Sequence, residues 1–194
     1  MPDERAEAEA GLFPLFLKLA GKCVLVVGAG PVAERKIESL LETAAEVRVV
    51  APEATEGVER LATEGRVAWR ARPFEDADVD GAWLVFAATS APEVQAQVAR
   101  ATSARRVFCV AVDDPENASA YSGSLVRRPP FTIAISSGGA TPALTRLVRE
   151  VLEQVLPGEG WVEHATRLRA KWLAEGTPMA DRFAELVRAF KPGP

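Results

Sequence analysis

From Lys22 onward, short apolar runs alternate with stretches whose apolar residues recur at helical spacing, the pattern of βαβ units that build a parallel sheet. Cys23 to Val27 is apolar at every position, as a strand covered on both faces requires. Pro31 to Leu41 then reads as a helix, Val47 to Ala51 as a second strand, Glu53 to Glu64 as a helix and Val67 to Arg70 as a short strand. Trp83 to Ala88 is a further buried run, and Pro92 marks the start of a helix whose apolar stripe is Val94, Val98 and Ala101 and whose end lies near Arg105. Val107 to Val112 completes a series of five strands.

Past Asp113 the rhythm changes. Asp114-Pro115-Glu116-Asn117 is a turn cluster. Ser124 to Arg127 and Phe131 to Ser136, separated by Arg128-Pro129-Pro130, are spaced for a hairpin rather than a crossover. Three helices follow: Thr141 to Leu156, stopped by Pro157-Gly158, then Trp161 to Glu175 and Met179 to Phe190. The expected class is α/β, with a doubly wound parallel sheet over residues 1–115, a small α+β unit over 116–157 and a helical C-terminal unit over 158–194.

Gly28-Ala29-Gly30-Pro31-Val32-Ala33 follows the first strand and opens the first helix. In this G-x-G-x-x-A arrangement Gly28 permits a tight turn, Gly30 lets backbone approach a pyrophosphate, and Ala33 lets helix and strand pack closely. The helix N-terminus offers free N–H groups and a partial positive charge to the same anion. The context is that of a Rossmann dinucleotide site. At the end of the second strand, Ala51-Pro52-Glu53 carries no basic residue for a 2′-phosphate, which favours NAD over NADP. Glu53 either contacts the ribose or opens the following helix.

Ligands of such a sheet lie over the carboxyl ends of its strands. Thr89 and Asp113 stand at those ends, after the fourth and fifth strands. Asp113 is therefore placed as a general base beside a hydride acceptor, or else belongs to a plain Asp-Asp-Pro turn. Ser136-Ser137-Gly138-Gly139-Ala140-Thr141-Pro142 joins a strand to a helix, with Thr141 as N-cap and Pro142 as first helical residue. It forms a second helix N-terminus able to receive carboxylates, or a plain connection between hairpin and helix.

The chain has 194 residues, 48% hydrophobic and 26% charged, which places it among ordinary globular proteins and excludes disordered, collagen-like and membrane classes. The apolar stretch Gly11 to Ala20 is too short to span a bilayer and is interrupted by Lys18, so no signal peptide is read and a cytoplasmic location is expected. Cys23 and Cys109 lie inside apolar runs and are expected to be reduced core residues. With His164 the single histidine, no metal site is expected. A net charge of −4 argues against nucleic-acid binding. The charge is uneven, with 13 basic and 20 acidic groups up to residue 119 against 10 and 7 beyond it, so the C-terminal part is the better place to meet an anion.

Taken together, five stretches resemble the precorrin-2 dehydrogenase family, the N-terminal regions of sirohaem synthases. They are Leu12 to Leu19, Val26 to Lys36, Ala87-Ala88-Thr89, Val112 to Glu116 and Ile135 to Leu144. The resemblance implies a Rossmann domain, a small central domain that forms a homodimer, and a helical C-terminal domain, with a tetrapyrrole substrate bound between them. It implies NAD-dependent oxidation of precorrin-2 to sirohydrochlorin, with Asp113 as the essential aspartate. In bifunctional members the same aspartate is implicated in metal insertion, with Fe²⁺ as substrate. Pro31 and Val32 match the cofactor-binding turn, Pro52 and Glu53 the ribose side, and Ser137, with Gly138 and Gly139, the substrate pocket. The sequence departs from the family pattern at Val110-Ala111, where an asparagine is common, and at Ala120 to Gly123, where a Phe and a Pro are common. A substrate with eight carboxylates calls for cations, and Arg127, Arg128, Arg146, Arg149, Arg167, Arg169 and Lys171 lie in the basic part. The rival expectation is a Rossmann module that senses NAD without chemistry.

Overall fold

The structure is a computed structural model that describes residues 11–129, 131–138, 141–156 and 159–190. The chain divides into two units, one up to Ser122 and one from Gly123. In the first, β1 (Cys23–Val27), β2 (Glu46–Val50), β3 (Ala68–Arg70), β4 (Leu84–Ala87) and β5 (Phe108–Ala111) form one parallel sheet in the order β3-β2-β1-β4-β5. The apolar runs sort by alternation. Val24, Val26, Val47, Val49, Leu84 and Phe86 face α1 (Pro31–Leu41) and α2 (Glu56–Thr63). Leu25, Val27, Val50, Val85 and Ala87 face α3 (Pro92–Ala104) and a 3₁₀ turn at Asp76–Val79. The sheet is thus covered on both faces, and each fully buried Val or Leu contributes about 1.5–3 kcal/mol. The chain winds outward from β1 to β3 and returns on the other side at β4, so a crevice is expected where β1 and β4 diverge.

Several expectations shift. Trp83 stays outside β4, 62% exposed, with Lys22 Nζ 3.5 Å from its ring centre. Cys109 is buried, but Cys23 is only half-buried; both are free thiols. The helix expected from Glu53 begins at Glu56, because the Thr55 hydroxyl accepts the Val58 N–H at 3.4 Å and so ends the preceding loop. That hydroxyl also donates to Glu34 Oε2 of α1 at 2.6 Å, and Gly57 lies beside it, where a Cβ would displace the Glu34 carboxylate.

The 3₁₀ turn exists because of one buried acid. Asp78, 2% exposed, accepts from Arg72 through both guanidinium NH groups at 2.8 and 2.6 Å, from Arg70 at 2.9 Å and from the Glu75 N–H at 3.0 Å. Burial pushes its carboxyl up, but the Arg72 and Arg70 guanidiniums and the Glu75 N–H outweigh that and hold it below the usual Asp range. A depressed folded-state value stabilises the fold above the unfolded value of about 4 and is lost as pH falls through the lower folded one. Asp78→Asn is expected to cost about 2–3 kcal/mol at neutral pH, less than a fully buried pair because both guanidiniums reach solvent. Urea unfolding of parent and variant from pH 7 downward checks this: the gap should close below about pH 4. A gap that is constant with pH would remove the charge from the explanation.

In the second unit, β6 (Ser124–Arg128) and β7 (Phe131–Ile135) form the expected antiparallel hairpin, pairing Ser124 with Ile135 and Arg128 with Phe131. Val126 is buried, and α4 (Pro142–Val155) packs on both strands. α5 (Glu159–Glu175) and α6 (Met179–Phe190) are joined by Trp172, whose Nε1 donates to Glu185 Oε2 at 2.6 Å, and by Trp161 against Phe190 at 4.5 Å. Among the described residues no helix is long and apolar enough to cross a membrane.

Candidate functional site

A cavity of about 890 Å³ opens at the carboxyl ends of β1, β2, β4 and β5. Gly28, Gly30, Pro31, Val32, Pro52, Glu53, Thr89 and Asp113, drawn from four separate stretches of sequence, all line it.

Gly28 has φ +105 and donates its N–H to the Val50 carbonyl at 2.9 Å, ending the β1 ladder. A Cβ there would lie 2.7 Å from the Ala88 carbonyl carbon, so β1 and β4 approach too closely for any other residue. At Gly30 the same Cβ would meet nothing within 4 Å. Gly30 is the N-cap of α1 and Pro31 its first residue, and no side chain caps the helix. The N–H groups of its first turn are therefore left for a ligand or water.

At the β2 end, Trp69 Nε1 donates to the Ala51 carbonyl at 3.1 Å and fixes the backbone that carries Pro52 and the exposed Glu53. At the β4 end, the Thr89 hydroxyl accepts from the Ala91 N–H at 3.3 Å. The two acids after β5 differ. Asp114 is committed to its turn, accepting from Asn117 through the backbone N–H at 3.4 Å and through Nδ2 at 2.7 Å. Asp113 is exposed, has φ +57, and makes no side-chain hydrogen bond among the described residues. Of the two carboxylates, Asp113 is the one left to meet a ligand.

Ser137 and Gly138 stand in the second unit, at the β7–α4 connection, and Gly139 lies outside the described residues. Thr141 occupies the N-cap position but its side chain makes no capping bond; instead its N–H donates to Ser137 Oγ at 3.1 Å. Thr145 also donates to Ser137 Oγ, at 3.1 Å. Of the seven candidate cations, Arg146, Arg149 and Lys171 pair along their helices with Glu150, Glu153 and Glu175. Arg128 donates to the Glu153 carbonyl at 2.9 Å, and Arg127 is also engaged. Arg167 and Arg169 have no partner among the described residues.

The sequence reading missed Gln95. It is 5% exposed and lines the cavity, whereas Val94 of the apolar stripe is half-buried against the core. The signal was present: a polar residue three positions before Val98 sits on the apolar face.

The chain is 45% identical over 144 residues to siroheme synthase 3 of Aeromonas hydrophila, covering 74% of this chain and 31% of that protein. It is 42% identical over 171 residues to siroheme synthase 1 of Aeromonas salmonicida, covering 87% and 36% respectively. The chain thus spans about a third of the length of these relatives. Among solved structures, that of SirC, a precorrin-2 dehydrogenase, superposes with a TM-score of 0.75 at 20% identity, covering 93% of this chain and 90% of that one, a likeness of fold. The family described as putative NAD(P)-binding matches residues 15–124, a span that holds all five parallel strands and every residue lining the cavity, and the chain belongs to that family.

Proposed function

We propose that the first unit binds NAD and that the protein uses it to oxidise precorrin-2 to sirohydrochlorin. The observation that carries this is the cavity at the switch point, which brings the Gly28–Val32 turn and the unpartnered Asp113 to one place. The substrate class follows from the likeness to siroheme synthases.

The residues present suit the cofactor. Gly30 leaves open space over the uncapped start of α1, room for a pyrophosphate on the first-turn N–H groups. Pro52 and Glu53 would flank the adenine ribose, and Thr89 the nicotinamide side. Among the described residues no Lys or Arg lines the cavity and Glu53 does, an environment that favours ribose hydroxyls over a 2′-phosphate. Bound NAD supplies the hydride acceptor. The oxidation removes two hydrogens from the substrate, one as hydride and one as a proton, and Asp113 takes the proton. Ser137 and Gly138, with Gly139, are assigned to the substrate.

In the second unit the face of α4 formed by Leu144, Leu147, Val148, Val151 and Val155 is apolar at helical spacing and exposed, which supports a homodimer formed through residues 116–157. Residues 158–194 are assigned to a helical domain beside it. Fe²⁺ insertion into the product is a second activity that the same carboxylate would serve, by accepting pyrrole protons.

The test is NADH formation from precorrin-2, followed by Fe²⁺ uptake. With NAD the expected kcat/KM exceeds that with NADP by on the order of tenfold to a hundredfold, the discrimination of one or two charged contacts. Tight NAD binding with no NADH formed would support a sensing module instead and end the catalytic reading.

A further inference from the structure

Gln95 lies one turn inside α3, buried in the cavity wall. Its Nε2 donates to the carbonyl of Thr89 at 3.1 Å and to the carbonyl of Val112 at 3.2 Å. Both neighbours are acceptors, so the nitrogen must face them, and both amide protons are used. Its Oε1 is buried and has no partner among the described residues. An apolar side chain would avoid burying that oxygen but would leave the Thr89 and Val112 carbonyls without this donor, so the bonds it donates, and not packing alone, explain a glutamine here. What the amide accomplishes is to tie together the segments that follow β4 and β5.

The consequence falls on Asp113. Its φ of +57 is uncommon outside glycine, although Asp adopts it more readily than most residues. The Val112 N–H donates to the Ala87 carbonyl at 2.9 Å, the last rung between β5 and β4. The Val112 carbonyl, which belongs to the peptide entering Asp113, is held by Gln95. Val112 is thereby held through the peptide on each side of it, and the second of these, whose carbonyl Gln95 grips, sets the direction in which the Asp113 side chain leaves the backbone. Asp113 has no side-chain hydrogen bond among the described residues, so its aim comes from the backbone.

We propose that Gln95 is a positioning residue, which by gripping the carbonyls of Thr89 and Val112 holds the Asp113 carboxylate in its working direction across the cavity. This rests on Asp113 being the proton acceptor of the oxidation.

The variants are Gln95→Met, which keeps the volume and flexibility, and Gln95→Leu as a second apolar replacement. In the full chain, kcat is expected to fall by about tenfold to a hundredfold, as a small misplacement of a reacting group does, while KM for NAD stays within about twofold. In the Asp113→Asn background, Gln95→Met should cost less than about twofold more, since there is no base left to aim. Without any ligand, the carbonyl ¹³C resonances of Thr89 and Val112 and the amide of Asp113 should all move in both variants. Unchanged kcat in both variants, losses that multiply with Asp113→Asn, or carbonyl resonances that stay in place each overturn the proposal. Full activity in Asp113→Asn alone would instead remove the base on which it rests, and the ligand-free resonances would still report whether Gln95 grips the peptide.

Discussion

Asp113→Asn is expected to lower the rate of precorrin-2 oxidation by on the order of 10²–10⁴-fold, the usual worth of a positioned general base, while NAD binds within about twofold of the parent. Asparagine is the right probe because of the backbone. At φ +57 most side chains are strained, but Asn and Asp both visit the left-handed region readily, so the turn into Asp114-Pro115 survives the exchange. Asn also keeps the shape of the carboxylate while removing its charge and its capacity to take a proton. Asp113→Ala would confuse the two effects by adding backbone strain. Asp114→Asn is the contrasting variant: that carboxylate accepts from Asn117 and caps the 3₁₀ turn at Pro115–Asn117, so its loss should appear first as a lower melting temperature. Initial rates of NADH formation, with NAD affinity measured separately by tryptophan fluorescence, decide the matter. A rate for Asp113→Asn within tenfold of the parent, with NAD bound normally, would reassign the proton to another group.

The sequence was most legible where punctuation is local. β1 and α1 run over the residues the pattern indicated, because Gly28, Gly30 and Pro31 mark the junction and every position of Cys23–Val27 is apolar. It was least legible where a residue's environment is built from distant chain. Thr55 moved the start of α2 as its N-cap, through a hydroxyl that accepts the Val58 N–H and is itself held by Glu34, 21 residues earlier. Nothing local in Asp-Ala-Asp-Val-Asp at 76–80 announces that Asp78 is buried beneath Arg70, the last residue of β3, and Arg72 just after it. The site divides in the same way. The glycine turn could be read from spacing, since its chemistry is that of backbone. Which of Asp113 and Asp114 is free turns on the bonds that Asp114 accepts from Asn117, and that Gln95 turns inward to meet two strand-end carbonyls depends on hydrogen bonds that close only when β4, β5 and α3 come together.

The two glycines of that turn should fail in different ways. Gly28→Ala places a side chain at φ +105, a strain of about 1–3 kcal/mol, and drives its Cβ into the Ala88 carbonyl. The obstacle is backbone of a central strand's end, so no rotamer change relieves it, and β1 and β4 must part where Ala88 N–H meets the Val27 carbonyl at 2.8 Å. The expected loss of stability is about 3–5 kcal/mol, a large fraction of the 5–15 kcal/mol that holds an ordinary domain, and NAD binding falls with the fold. Gly30→Ala meets open space at φ −78, so stability should change by less than about 1 kcal/mol. The new methyl nevertheless enters the space over the α1 N-terminus, and NAD affinity should drop by about tenfold or more. Urea unfolding and NAD titration of both variants separate the two effects. If Gly30→Ala binds NAD as the parent does, the pyrophosphate does not lie against this turn; if Gly28→Ala unfolds within 1 kcal/mol of the parent, the close approach of β1 and β4 is not what demands a glycine there.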